Sequence, residues 1–400
     1  MALERSALVS PAEDPLLMIP GPSDVDERVL AQMSRQVVAH YGAAWAAFFN
    51  ETVDLVRSVL RTAGDVFVYA GSGHLGLDAA IGSLFEPGTS VVVARNGHFG
   101  ARLEALALAH ELRVIPCDAP WGAPVRGEAI ASVLDSHPEA AGVLVVHGET
   151  STGVLNPVEE IARAVKARGR LLVVDAVSSA GAAPLETEAW GIDVLVTASQ
   201  KGLGAPPGLV IVAVSEAAWE AVDGRRTPVR GWTTSLAKWR EFLQYRDYQP
   251  YYITMPVNVV RALRTSLELI EEEGLANRIE RHRAVSALLR RRLGEIGLFA
   301  EADPEHALPA VTVARCPEGV AAAALRDRLF AEAGIAVAVG LGPWQKDRIR
   351  IGHMGRNAAP DKIERLSPGA LRASAAGRQR SRGAVGMHGR PLGNRIARWR

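Results

Sequence analysis

Leu171-Leu172-Val173-Val174-Asp175 is a run of four apolar residues that ends on a carboxylate. Twenty-six positions after Asp175, Lys201 stands in Ser199-Gln200-Lys201-Gly202-Leu203-Gly204-Ala205-Pro206-Pro207-Gly208, a Gly/Pro-rich loop between two further apolar runs. An unalternated run of this length reads as a strand buried on both faces, and open α/β sheets bind ligands beyond the carboxyl ends of such strands. Working outward, runs of the same kind fall at 65–70, 90–95, 112–117, 142–147, 193–198 and 209–214, and the segments between them, such as 75–85 and 159–167, repeat apolar residues at helical spacing. The pattern predicts an α/β fold: a large domain with a mostly parallel seven-stranded sheet between helices.

Past Pro256 the pattern changes to two helices, 257–273 and 275–293, with Gly274 as the residue that ends the first. Apolar segments at 307–316, 335–339 and 348–352 and a helix at 320–333 then form a smaller α/β unit. The expected organisation is an N-terminal arm (1–15), a large domain (16–256), a small C-terminal domain (257–366) and an Arg/Gly-rich, disordered tail (367–400). The chain has 400 residues, 48% of them hydrophobic, with 45 Lys+Arg against 44 Asp+Glu. That balance hides an asymmetry, because the tail holds eight arginines and no acidic residue, leaving 37 basic against 44 acidic residues elsewhere. An acidic body offers no footprint for nucleic acid, and none is expected for the tail. No apolar stretch is long enough to cross a membrane and no secretory signal opens the chain, so a cytoplasmic location is expected. Cys117 and Cys316 are too few for a disulfide framework, and His74, His98 and His147 lack metal-site spacing.

Gly71-Ser72-Gly73-His74-Leu75-Gly76 follows a strand and opens a helix, an arrangement in which backbone N–H groups face an anion. Its spacing also matches a dinucleotide-binding run, but the acidic residue expected about 20 positions later is missing, since the next strand ends Ala94-Arg95-Asn96. A monophosphate cradle, an NADP site with Arg95 on the 2′-phosphate, and a bare tight turn are the three readings of this run. Asp175 reads either as a helix N-cap or as a partner for a ring nitrogen, and Lys201 either as a solvated lysine or as an amine nucleophile. An amine, a carboxylate and a phosphate cradle together are the demands of pyridoxal phosphate chemistry.

With Pro20-Gly21-Pro22-Ser23, Asn96-Gly97-His98-Phe99-Gly100, His147-Gly148-Glu149-Thr150-Ser151-Thr152-Gly153, Tyr251-Tyr252-Ile253-Thr254-Met255-Pro256 and Arg350-Ile351-Gly352 in this order, the chain resembles the class V branch of the fold-type I aminotransferases, in particular the alanine–glyoxylate and serine–glyoxylate group. The resemblance implies pyridoxal 5′-phosphate as cofactor and Lys201 as the lysine of the internal aldimine. It implies that Asp175 pairs with the pyridine nitrogen, that Ser72, Gly73, His74 and Gln200 hold the phosphate, that Phe99 stacks on the ring, and that Ser151 lies near the phenolic oxygen. Tyr251 and Thr254 would be phosphate ligands given by the neighbouring subunit of a homodimer with shared active sites. Arg350, with Gly21, would hold the substrate carboxylate. Read from the residues alone, Phe99 can equally be core and Tyr251-Tyr252 an interface or strand-edge pair. Arg348, two positions before Arg350, is expected at the surface. His40, Tyr41 and Trp45 read as helix packing or as walls of the site.

The expected reaction is transamination between a small L-amino acid, alanine or serine, and a 2-oxo acid, glyoxylate or pyruvate. Pyridoxamine–pyruvate transamination is the alternative, since Gly204-Ala205-Pro206-Pro207-Gly208-Leu209 and Arg350-Ile351-Gly352-His353-Met354-Gly355 resemble that enzyme of the same branch as well. An NADP oxidoreductase is the remaining one.

Overall fold

The computed structural model describes residues 15–366. The expected tail, and all but the last residue of the expected arm, lie outside the described residues, as does the reading that the tail has no nucleic-acid role. Among the described residues no helix is long and apolar enough to cross a membrane. In chain order the strands of the first part are β1 (Leu16–Leu17), β2 (Asp65–Ala70), β3 (Ser90–Arg95), β4 (Arg113–Asp118), β5 (Ala140–Val146), β6 (Gly148–Glu149), β7 (Val154–Leu155), β8 (Leu171–Asp175), β9 (Val194–Ala198) and β10 (Leu209–Val214). Seven of them form one sheet in the order β2-β10-β9-β8-β5-β3-β4.

Neighbours in this sheet run parallel except around β10, which is antiparallel to both β2 and β9. The cause is the length of the Lys201 loop. A parallel return needs a crossover of roughly a dozen or more residues, and positions 199–208 are too few, so the chain must turn straight back. The interior strands β9 and β10 are buried along their whole length, whereas β4 lies at the edge, half in solvent, where Pro116 is tolerated. Asp175 ends β8, Lys201 follows β9 and Gly71 follows β2, so all three emerge at one edge of the sheet; the Gly71 N–H donates to Gly208 O at 2.9 Å.

The second core gathers β11 (Val311–Arg315), β12 (Ile335–Ala336), β13 (Ala338–Val339) and β14 (Arg348–Gly352), with β14 between β11 and β13 in an antiparallel sheet. Two expected domain limits shift. β1 pairs in parallel with β12, and Leu16 and Met18 are buried with Val285, Leu289, Leu325, Ile349 and Ile351, so the start of the 16–256 segment belongs with the small domain. An isolated two-residue strand cannot bury its apolar side chains alone, and the edge of β12 lets it do so. The helix Val257–Glu273, in contrast, places Val260, Leu263, Leu267 and Ile270 in the large core, and only the helix Leu275–Gly294 serves the small one. The changeover therefore falls at Gly274, whose φ of 79° suits a glycine between two helices.

Candidate active site

Lys201 and Asp175 leave adjacent parallel strands and feel each other's charge. Burial pushes the Lys201 amine down to about 8; Arg350 adds to this and Asp175 opposes it. Burial pushes the Asp175 carboxyl up to about 6, against an N–H from Val177 at 2.9 Å and the nearby Lys201, with Glu149 adding to the rise. A lysine so placed is partly unprotonated near neutral pH and can act as a nucleophile. Its Nζ donates to Pro20 O, while Ser23 donates from Oγ to Lys201 O at 3.1 Å and from N–H to Gln200 O at 3.0 Å. The Pro20–Ser23 turn thus lies against the lysine. Gly21 has a φ of 123°, and a Cβ there would stand 2.7 Å from Lys201 Nζ, so only glycine permits the approach.

Ser72 is the N-cap of the helix Gly73–Leu84, yet its hydroxyl makes no capping bond and is exposed. A Cβ at Gly73 would meet Val177 Cγ2 at 2.5 Å, which explains how this helix start comes against the loop after Asp175. Gln200 Oε1 is buried without a partner. A free hydroxyl and a helix N-terminus make donors suited to a phosphate group, whereas the orphaned Gln200 atom is an acceptor and only Gln200 Nε2 can donate there. Arg102, a residue with no expected role, closes this end: its Nη1 lies 3.2 Å from His74 Nε2 and its Nη2 3.2 Å from His98 Nε2. Arginine only donates, so both rings accept at Nε2 and carry their proton on Nδ1, and burial together with Arg102 lowers both of their pKa values.

Glu149, unlike Arg102, stands in the His147–Gly153 motif but had no role of its own. It is fully buried, and its carboxylate accepts from the N–H groups of Phe99 (2.9 Å), Gly100 (3.0 Å) and Ser151 (3.0 Å) and from Ser151 Oγ (2.6 Å). Ser151 Oγ in turn accepts from His98 N–H at 2.8 Å. The start of the helix His98–Ala109, with half-buried Phe99, is thereby tied to the β6–β7 turn. Burial raises the Glu149 carboxyl against these donors, and its charge reaches Asp175 and Arg350. Phe99 also packs against the large core, as its reading from the residues alone expects.

Arg350, on the central strand of the small sheet, brings a half-buried guanidinium to this group. Its Nε donates to Val339 O at 2.8 Å, and burial pushes its pKa down to about 10 while Glu149 opposes the shift. Arg348 does not match its surface expectation. Its side chain is only 12% exposed, with Nε 2.9 Å from Glu301 Oε1 and the guanidinium over Trp344, because the segment of Glu301, ahead of β11, bonds Val313 O on the strand beside β14. The two arginines are thus told apart by their partners.

Tyr251 and Thr254 are not brought to Lys201 within one chain. Tyr251 is buried against Phe49, accepts from Trp45 Nε1 and donates to His40 O at 2.5 Å; Thr254 is exposed. Trp45 and His40 therefore gather around Tyr251 as packing. Arg95 is held by Asp118 at 2.6 and 2.8 Å and by Glu104 at 2.6 Å, which leaves no free fork for a 2′-phosphate and removes the basis of the NADP reading. Burial raises the thiols of Cys117 and Cys316 to about 11, so neither is a ready thiolate. Among the described residues no three His, Cys, Asp or Glu side chains gather as a metal site.

Residues 17–350 match the family model of the class-V aminotransferases. The chain belongs to that family and is an aminotransferase with the fold-type I architecture. It is 34% identical over 369 residues to the alanine–glyoxylate aminotransferase of Mus musculus, covering 90% of this chain and 88% of that one. It is 32% identical over 349 residues to the pyridoxamine–pyruvate transaminase of Mesorhizobium japonicum, covering 87% and 88%. The crystal structure of the alanine–glyoxylate aminotransferase from Nostoc sp. superposes with a TM-score of 0.87 at 34% identity, over 93% of this chain and 97% of that one.

Proposed function

We propose that the chain is a pyridoxal 5′-phosphate-dependent transaminase that exchanges an amino group between a small L-amino acid, alanine or serine, and a 2-oxo acid, glyoxylate or pyruvate. The observation that carries this reading is Lys201, its amine depressed to about 8, beside the buried Asp175 and the start of the helix Gly73–Leu84. When bound, the cofactor supplies a carbonyl carbon that receives amines and a ring that takes up electron density. Ser72, the N–H groups of Gly73 and His74, and Gln200 would hold its phosphate, with Arg102 keeping His74 neutral. Asp175 would hold a proton on the ring nitrogen, and Phe99 would cover one ring face. Arg350 would take the substrate carboxylate in a two-bond fork, since among the described residues only its Nε has a hydrogen-bond partner, with Gly21 leaving room beside Lys201. Lys201 Nζ would then carry the proton from the substrate Cα.

In this reading Tyr251 and Thr254 serve the partner subunit of a homodimer, and the exposed Tyr41 and Tyr248, joined to Tyr251 through His40, support a contact with a second copy. Pyridoxamine–pyruvate exchange remains the second reading, favoured by the Mesorhizobium relative; the exposed Ser72 hydroxyl argues for a cofactor held by its phosphate. Visible absorption spectroscopy of the loaded protein tests both. Bleaching by L-alanine or L-serine and recovery with glyoxylate or pyruvate is the expected result. A protein that takes up no pyridoxal phosphate, or transfers only from free pyridoxamine, would overturn it.

A further inference from the structure

Glu273, Arg278, Arg281 and His282 have no part in the proposed chemistry, yet they join the loops that follow its three principal residues. Arg278 is 6% exposed; its Nε donates to Gly181 O at 3.0 Å, its Nη2 to Gly202 O at 2.9 Å, and its Nη1 lies 3.1 Å from Glu273 Oε2. Gly181 lies in the turn after Asp175, and Gly202 is the residue after Lys201. Arg281 grips the same carboxylate with Nε at 2.6 Å and Nη2 at 2.9 Å, and its Nη1 reaches Gly355 O at 3.1 Å and Ala358 O at 2.5 Å. His282 Nε2 accepts from Gly355 N–H at 3.0 Å, which leaves the proton on Nδ1 to bond Arg278 O at 2.7 Å. Gly355 follows β14, the strand of Arg350. At this seam the two parts touch closely, because a Cβ built on Gly355 would stand 3.7 Å from Gly204 Cα.

Two arginines on one carboxylate are a costly way to hold a fold together, since burying charge offsets much of what the pairing gains. The geometry instead suits the fixing of position: Arg278 anchors the large-domain loops, Arg281 anchors the small-domain loop, and Glu273 is the post they share. We infer that Glu273, Arg278 and Arg281 form a positioning clamp that sets where Arg350 stands relative to Lys201 and Asp175. This rests on the reading of those three residues given above. The two arms separate in their effects. Loss of the Arg281 arm frees the Arg350 side and weakens substrate binding, whereas loss of Arg278 frees the Lys201 side too and slows turnover.

The test uses the full-length protein loaded with pyridoxal phosphate and the variants Arg281→Gln and Arg278→Gln. Hydrogen exchange with mass spectrometry is read over 353–359 and 199–205, alongside KM, kcat and cofactor affinity by spectral titration. For Arg281→Gln we expect exchange over 353–359 to rise about tenfold or more with 199–205 unchanged, and KM for both substrates to rise about tenfold with kcat and cofactor affinity within about twofold. For Arg278→Gln both segments should loosen and kcat should fall. If Arg278→Gln does not fold, the Arg281→Gln pattern decides alone. Unchanged protection over 353–359, or a general loosening of both segments in Arg281→Gln, overturns the clamp, as does an unchanged KM. A wild-type protein that takes up no cofactor defeats the proposed function instead, and the clamp is then judged by the exchange pattern of the two segments.

Discussion

Lys201 and Asp175 sit on loops leaving β9 and β8, adjacent strands in the middle of a seven-stranded sheet, while Arg350 rides a three-stranded sheet in which every second residue of β14 up to Arg350 is only half-buried. The first region fixes reactive groups by covalent proximity to a buried core. The second carries its arginine on a separate core, oriented through side-chain contacts across a seam. In the proposed function, chemistry and substrate capture thus rest on separate cores, and perturbations of the two should be separable.

The sharpest break in that comparison is Lys201→Ala. It should lower kcat at least about 1,000-fold without lowering the thermal midpoint, because it removes a buried amine whose charged form burial disfavours. Steady-state kinetics and a melting curve check it; residual activity near wild type would remove Lys201 from the chemistry. Next, Arg350→Lys should raise KM for both substrates about 10- to 100-fold, since a point charge replaces a two-bond fork, with cofactor affinity unchanged. Arg348→Ala, two residues away, should leave KM within about twofold and instead cost about 1 kcal/mol of stability, since Glu301 loses its buried partner but keeps Arg315 Nε at 2.9 Å. Equal KM effects from both would erase the distinction between them.

The smallest expected effect lies in the pH dependence of stability. Burial holds His147 in the large domain and His353 in the small one at about 4. Their unfolded forms take up a proton near 6.5, so the stability they contribute is complete above that pH and is lost as the pH falls toward 4. Between pH 7 and 5 each should cost up to about 2 kcal/mol. Asp175 acts in the opposite sense, because its folded pKa of about 6 is raised, and it recovers about 1 kcal/mol over the same window. Denaturant unfolding at pH 7 and pH 5 should show a net fall. His353→Gln should flatten it and Asp175→Asn should steepen it; a flat wild-type profile would count against both assignments.

The strands were legible because buried runs such as Leu171–Asp175 and Leu209–Val214 advertise themselves in composition, and their bounds agree with the observed ones. Lys201, Asp175 and Gly71–His74 were legible for the same reason, since residues that directly follow a buried strand have little freedom to be elsewhere. Glu149 was visible as a letter in a motif but not as a buried acceptor, because its four donors come from residues 99, 100 and 151. Arg102 and the Glu273–Arg278–Arg281 group left no local signal, as charges at helical spacing look like a solvated face.

By itself the sequence determined the class of fold, the order of the strands along the chain and the loops that carry the Lys201 amine, the Asp175 carboxylate and the Gly71–His74 run, all of which follow from local apolar pattern and chain connectivity. Only the tertiary structure decided that β1 joins the small core, that the helix Val257–Glu273 belongs to the large one, and that Arg348 pairs with Glu301 while Arg350 donates from Nε to Val339 O. Those outcomes depend on which distant groups meet across the seam between the cores. No periodicity along the chain encodes such meetings.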